Sequence, residues 1–267
     1  MIDGRILAYT LVYMHYSPLP WPLFWLLATL IVGVDFAVTL LLLFQVRHAL
    51  LSFGKPKTTV RQTVSIFAFV LFAWFAIALF LTGNGAFLAA PNQRFPYIAL
   101  AIGIPILVGA FLIRGSKEVR EIVAAVPQAW LVAAQFCRVI GGIFLIFYAM
   151  GQLPGIFAWP AGVGDILVGL TALLVATRCA REQIDRSVWL WNWFGIGDLV
   201  VAIATGFLSA PTRFQIFAFD APNSLIGSFP LAMIPAYGVP LFIVLHMASL
   251  SKVRNPRRSL VKQMAPA

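Results

Sequence analysis

The sequence predicts an all-α integral membrane protein, a bundle of seven transmembrane helices. Of its 267 residues, 61% are hydrophobic and only 10% are charged, whereas about a quarter of the residues of a soluble domain are charged. Apolar runs close to 20 residues recur along the chain, and an α-helix needs that length to cross a bilayer. The sequence also lacks the alternating segments of about ten residues that are typical of membrane β-barrels. We therefore expect lipid to surround the fold.

Residues 1–20 precede the first span and differ from a cleaved signal peptide. Arg5 leads an apolar stretch, but no small-residue cleavage site follows it, and Pro18 and Pro20 interrupt it. We expect an external segment that lies at the membrane interface, with its tyrosines at the level of the headgroups.

Seven spans follow, separated by short loops. They are expected at 21–46, 63–82, 97–113, 130–150, 159–176, 189–208 and 229–250. The first three form a three-helix part, 21–113, and the last four form a four-helix part, 130–250. Between them, 114–129 has the composition of an amphipathic helix on the cytoplasmic surface, and 251–267 is a basic cytoplasmic tail. The chain is expected to be a single membrane domain.

The number of basic residues alternates between high and low from one loop to the next. Three loops carry four, three and three lysines or arginines, and the three loops on the opposite side carry one, none and one. Because basic loops stay in the cytoplasm, the N-terminus is expected outside and the C-terminus in the cytoplasm, in a cytoplasmic (inner or plasma) membrane. This rule also explains the net charge of +10 without a nucleic-acid partner.

Five ionisable residues fall inside the predicted spans: Asp35, Arg138, Asp165, Asp198 and His246. An acidic or basic side chain at the centre of a membrane helix costs roughly 2.5–3.5 kcal/mol on insertion scales, and such residues usually mark function. Counting residues from the predicted span ends places Arg138 and Asp198 at similar depths, with Asp35 within reach of both. Asp165 is expected about 8 Å closer to the outer face than Asp198, and His246 close to the cytoplasmic face. We expect Arg138 to pair with Asp198.

The charges within the spans do not balance, because three aspartates accompany one arginine. An unpaired buried carboxylate takes up a proton. The site is therefore expected to hold a proton, a cation or a cationic group of a ligand. Asp165 and His246 are the candidates for titration from the outer and the cytoplasmic side.

Two similar runs precede Asp165 and Asp198. Gly162 and Gly164 precede Asp165 as Gly195 and Gly197 precede Asp198. Glycines let another backbone come close, so these four are expected at helix contacts beside the acids. Farther along, Pro235, Gly238 and Pro240 predict a break in the last span.

The two Gly-x-Gly-Asp runs resemble the signature of the intramembrane aspartyl proteases of the presenilin and signal-peptide-peptidase class. The resemblance implies that Asp165 and Asp198 would be the catalytic dyad, with 235–237 (Pro-Ala-Tyr) near the position of that class's Pro-Ala-Leu. The chain departs from the class in four respects: it has seven predicted spans rather than nine, it lacks the Tyr-Asp motif, the two aspartates are expected at different depths, and Ala-Tyr replaces Ala-Leu.

No cofactor or metal is expected. Seven spans with an external N-terminus are similar to those of the rhodopsins, but all lysines lie in predicted loops or tails, so no retinal is expected. His246 is the only histidine within a span, which excludes a bis-histidine haem. Metal-ligand clusters are also missing from the sequence.

Three functions remain open from the sequence. The leading hypothesis is a proton-linked carrier or small-ligand-binding membrane protein without catalytic residues, with Asp198, Arg138 and Asp35 as the central polar site. The second is the intramembrane protease. The third is a non-catalytic subunit or scaffold, whose small-residue faces would bind a membrane protein partner or a second copy. The loop 209–228 would lie on the membrane or cover the mouth of the bundle.

Overall fold

The fold is all-helical over the residues that the structure, a computed structural model, describes: 19–91, 95–184 and 186–253. Seven helices in this part of the chain are long and apolar enough to cross a membrane. This confirms the predicted multi-pass helical membrane fold. Most of the interfacial segment 1–20 and most of the basic tail lie outside the described residues.

The first three spans are continuous helices: α1 (Trp21–Ser52), α2 (Lys57–Gly83) and α3 (Tyr97–Gly115). The linker expected at 114–129 contains a short helix, α4 (Lys117–Ala125). Ser116 caps the first turn of α4, since its hydroxyl accepts a hydrogen bond from the backbone N–H of Val119 at 3.2 Å.

The fourth span changes its helix type halfway. It begins as α5 (Gln128–Ala133), tightens into a 3₁₀ segment (Ala134–Gly142) and ends as α6 (Ile143–Ala149). A 3₁₀-helix has three residues per turn, so side chains three positions apart lie in one row. Gln135, Arg138 and Gly141 are the buried residues of this segment, and they follow that spacing. The tight segment therefore directs Arg138 into the bundle.

The remaining spans surround this segment. They are α7 (Gly155–Ala180), α8 (Arg186–Ser209) and α9 (Val239–Val253), and α9 is preceded by a π-helical turn (Ile234–Gly238). The π turn confirms the irregularity predicted from Pro235, Gly238 and Pro240. The last span is the most buried of the seven, and α7 packs against the 3₁₀ segment on one side and α8 on the other.

Most of the observed helices extend beyond the predicted spans, whereas the last span, predicted from residue 229, begins at Ile234. One of these differences changes the depth of a site residue. The span predicted at 159–176 begins at Gly155, because Pro154 precedes the helix and Pro160 lies inside it. Residues 251–253, expected in the tail, belong to α9. The helices alone do not distinguish the two ends of the bundle, so we name these ends outer and cytoplasmic according to the distribution of basic residues.

Candidate functional site: a buried arginine between two aspartates

Arg138 lies at the centre of a buried polar cluster formed by three spans. Its Nε donates a hydrogen bond to Oδ1 of Asp165 on α7 at 2.8 Å, and its Nη2 donates to Oδ2 of Asp198 on α8. The Arg138 side chain is 1% exposed, and the carboxylate-bearing side chains are 10% and 9% exposed. One guanidinium thus binds both aspartates of the Gly-x-Gly-Asp runs, away from water.

The two aspartates meet because they lie at the same depth. Asp165 is ten residues from the outer end of α7 at Gly155, and Asp198 is eleven residues from the outer end of α8 at Ser209. At 1.5 Å per residue, both lie about 15 Å from the outer ends of their helices. The expected difference of about 8 Å is therefore wrong. About 6 Å of it came from starting the fifth span at residue 159, four residues after the helix begins.

His246 joins the same cluster from α9. Its Nε2 lies 3.4 Å from Nη1 of Arg138, which also donates to the backbone carbonyl of Gly195 at 3.1 Å. On the other side of the ring, Nδ1 lies 3.0 Å from Oδ1 of Asn192, whose Nδ2 donates to the carbonyl of Val188. A carboxamide oxygen only accepts hydrogen bonds. This arrangement therefore fits a neutral imidazole with its proton on Nδ1 and its Nε2 accepting from Arg138.

Three of the four glycines of the repeated runs make close contacts. A methyl group built on Gly164 would overlap the Asp198 carboxylate, and one built on Gly195 would overlap the His246 ring. One built on Gly162 would come within 2.7 Å of Leu145. Gly197 is different, since none of the described atoms lies within 4 Å of the corresponding position. The first three glycines thus let charged or bulky side chains approach the helix backbones.

Asp35 lies apart from the Arg138 cluster, beside the π turn. Its Oδ1 is 3.1 Å from the position that a Cβ on Gly238 would occupy. Thr39, one turn farther along α1, donates to the Asp35 carbonyl at 2.8 Å, and its hydroxyl lies 2.6 Å from that of Tyr237. Oδ2 of Asp35 is buried and has no hydrogen-bond partner among the described residues. The structure therefore does not bring Asp35 into the central site with Arg138 and Asp198.

A pocket of about 320 Å³ opens above the cluster and extends toward the outer end of the bundle. Its walls come from the start of α3, the outer halves of α7 and α8, and the π turn. Asp165 is its deepest residue, and the aromatic lining residues are Phe87, Tyr97, Phe144, Phe157 and Phe207. Ligand pockets of this size are typically apolar with a few polar groups, and this pocket has that composition.

The loop between α8 and the π turn closes the outer end of the pocket. Its residues Thr212, Asn223, Ile226 and Gly227 line the cavity, and Asn223 is fully buried. In contrast, Phe219 of the same loop is 68% exposed. The loop thus lines the pocket with one face and exposes aromatic side chains on the other.

Sequence reasoning missed two residues of this region. Asn192 lies one turn before Ile196 on α8 and orients His246, and Asn223 lines the pocket. Asn192 follows Trp191 in an apolar span, so its polar side chain within the membrane was a usable signal. Asn223 has no such signal, because an asparagine beside Pro222 is ordinary in a loop.

Comparison with known proteins gives one match. The model of a family described as a domain of unknown function (DUF8737) matches residues 95–254, which is more than half of the chain. That range contains Arg138, Asp165, Asp198, His246 and most of the pocket, whereas Asp35 lies before it. Neither the curated proteins nor the solved structures contain a match. The chain belongs to the DUF8737 family.

Proposed function

We propose that this protein binds a small, largely apolar ligand within the membrane, in the pocket above the Arg138 cluster. The observation that carries the proposal is the pocket itself: a cavity of about 320 Å³ with aromatic walls and Asp165 at its base. A cavity with no ligand would leave its lining atoms without packing partners, which is costly in a close-packed interior. A ligand that is mainly apolar would supply those contacts.

A proton link follows from the composition of the cluster. Two carboxylates share one guanidinium, and the hydrogen bonds of His246 fit its neutral form. With both carboxylates ionised, the cluster carries one uncompensated negative charge, which a proton or a cationic group would neutralise. Because Asp165 contacts Arg138 and also borders the pocket, ligand and proton occupancy would influence each other. This is the arrangement that a proton-linked carrier needs.

Ligand binding is tested by filling the pocket. The probe is N-phenyl-1-naphthylamine, whose fluorescence rises in apolar surroundings, titrated onto purified protein in detergent. Ala202 lines the pocket, so Ala202→Phe should abolish saturable binding. Its neighbour Val201 is 46% exposed on the same helix, and Val201→Phe should leave binding unchanged. Equal fluorescence from wild type and Ala202→Phe would reject the proposed site.

The proton link is tested with Asp198→Asn. This variant keeps the Arg138–Asp165 pair and removes the uncompensated charge, so it should fold normally. In the wild type, the affinity for the probe should change with pH, and in Asp198→Asn it should become nearly independent of pH. If Asp198→Asn unfolds in detergent, the pair holds the helices together and the carrier hypothesis fails.

The other two hypotheses make different demands on the same residues. An aspartyl protease needs two carboxylates that share a proton and activate a water, and here a guanidinium contacts both, which favours binding over hydrolysis. A scaffold or non-catalytic subunit would need no ligand pocket. It would instead copurify in a stable complex, and a monodisperse monomer that binds the probe would count against it.

The proposed location is a cytoplasmic (inner or plasma) membrane, with the outer mouth of the pocket on the side opposite the basic loops. Single cysteines at Ser52 and Gln152, introduced with Cys137 and Cys179 replaced by alanine, would report the two sides. Only the cysteine at residue 152 should react with an impermeant maleimide added to intact cells. Labelling at residue 52 instead would reverse the orientation.

A further inference from the structure

Asn223 is a fully buried asparagine whose side-chain amide has no hydrogen-bond partner among the described residues. It is 0% exposed and lines the pocket, yet neither its side-chain nitrogen nor its oxygen has a hydrogen-bond partner within 19–91, 95–184 and 186–253. Asn192, which is equally buried, uses both of its polar atoms. Buried polar groups are normally paired. In Asn223 the side-chain nitrogen lacks an acceptor and the side-chain oxygen lacks a donor.

The position of Asn223 is held by the backbone and leaves its carboxamide at the outer end of the pocket. Its backbone N–H donates to the carbonyl of Ser209 at 2.9 Å, which anchors the loop to the end of α8. A Cβ built on Gly206 would lie 3.9 Å from Nδ2 of Asn223. The same position would lie 3.2 Å from the Phe157 ring, so the ring and the carboxamide are both next to Gly206.

The two polar ends of the pocket lie about two turns of helix apart. Gly206, at the level of Asn223, follows Asp198 by eight residues on α8, which corresponds to about 12 Å along the helix axis. Between these levels the α8 wall consists of Leu199, Ala202 and Ile203, and Phe157 faces it from α7. A molecule that filled this space would need an apolar body with a polar group at its outer end.

We propose that the ligand is an uncharged amphiphile whose carboxamide or hydroxyl group is bound by Asn223, with its apolar body extending down toward Asp165. This inference rests on the proposed function and assigns the chemical class of its ligand. A carboxamide or hydroxyl group both donates and accepts, which are the two roles that the Asn223 side chain leaves unfilled. A carboxylate is disfavoured, because it only accepts and because the Arg138 cluster has more carboxylates than cations.

The test uses three probes with the same eight-carbon chain: octanamide, 1-chlorooctane and octanoate. Each displaces N-phenyl-1-naphthylamine from wild-type protein, with free concentrations corrected for partitioning into the detergent and Ala202→Phe as the background. The ratio of the free displacing concentration of octanamide to that of 1-chlorooctane is compared between the wild type and a variant without the carboxamide, because the two probes also differ in hydrophobicity and only octanamide can hydrogen-bond strongly to Asn223. Octanoate should be the weakest of the three.

Replacing the carboxamide separates this inference from the proposed function. In Asn223→Leu, that ratio should rise about tenfold relative to the wild type, because only octanamide loses a hydrogen bond. If Asn223→Leu does not fold, Asn223→Ala is used in the same comparison. An unchanged ratio in the variant would overturn the role of Asn223 and leave the pocket standing. Absence of saturable fluorophore binding to wild type would reject the pocket itself.

Discussion

Gly164 on α7 lies directly against the carboxylate of Asp198 on α8, so closely that a methyl group at residue 164 would overlap it. The contact places the Asp198 carboxylate between a helix backbone and the guanidinium of Arg138. Asp165, the next residue after Gly164, reaches the same guanidinium from α7. Gly164 of the first Gly-x-Gly-Asp run therefore leaves room for Asp198 of the second run.

The first prediction concerns this contact. Gly164→Ala should push Asp198 away from Arg138 and lower the stability of the detergent-solubilised protein by about 1–3 kcal/mol, as overpacking does elsewhere. Gly197→Ala is the matched control, because none of the described atoms lies within 4 Å of its added methyl group. That control should be neutral or slightly stabilising, since alanine is the better helix former. Equal melting temperatures for the two variants would contradict the contact.

The second prediction concerns the charge balance at Arg138. Arg138→Met leaves two buried carboxylates without their cation and should destabilise the protein by about 3–5 kcal/mol, measured by denaturant titration. The triple variant Arg138→Met/Asp165→Asn/Asp198→Asn removes all three charges and should recover most of this loss. If the single variant is as stable as the wild type, the three side chains do not form a charged cluster.

The helices of this fold could be predicted from the sequence, because the length and composition of an apolar run decide whether it crosses a membrane. The depth of Asp165 could not. Pro160 has the appearance of a helix start, since proline is favoured in the first turn. The helix instead begins at Gly155 and accommodates Pro160 internally. Because of that difference of four residues, Asp165 and Asp198 were expected at different depths, whereas in the structure both bind Arg138.

The contacts of Arg138 depend on the 3₁₀ segment, which no residue pattern predicts. A run of nine residues in 3₁₀ geometry is uncommon, and ordinary helical periodicity would not place residues 135, 138 and 141 in one row. The burial of Asn223 likewise arises from the way its loop folds back on α8. Local propensity carries no information about either arrangement, because both depend on tertiary packing.

The third prediction concerns Asp35, whose Oδ2 is buried and unpartnered among the residues described. A buried carboxylate without a cation is expensive unless it is protonated, and asparagine has nearly the same shape. Asp35→Asn should therefore fold with wild-type stability or better, in contrast to Asp35→Lys, which should not fold. A loss of more than about 2 kcal/mol in Asp35→Asn would show that the charged carboxylate has a stabilising partner.

The fourth prediction concerns the attachment of α4 to the bundle. Nζ of Lys252, in the last turn of α9, donates to the backbone carbonyls of Ala124 and Val126 at the end of α4. Lys252→Met removes both hydrogen bonds, so the amide protons of α4 should exchange about tenfold faster with solvent. Lys117→Met, an exposed position at the other end of the same helix, is the control. Unchanged exchange in Lys252→Met would mean that α4 is held by its apolar face alone.

Glu121 of α4 also forms an ion pair with Lys55, at 2.9 Å. Glu118 lies in the first turn of α4. Hydrogen bonds from its own backbone N–H and from the Ser116 hydroxyl hold the pKa of Glu118 below its usual value. A carboxylate with a lowered pKa in the folded state contributes stability above its unfolded pKa and loses it as the pH falls through the folded value. Exchange protection of α4 should therefore decrease on acidification, and Glu118→Gln should weaken that dependence.

The last prediction separates ligand binding from proteolysis. A dyad of aspartyl-protease type would cleave a model transmembrane peptide, and activity would disappear equally in Asp165→Ala and Asp198→Ala. We expect no cleavage by the wild type, because Arg138 occupies the position between the carboxylates where a shared proton and a water would have to lie. The informative control is Arg138→Gln. If the wild type does cleave and both aspartate variants are inactive, the guanidinium must leave the carboxylates during turnover, and the ligand pocket would become a substrate site for a peptide.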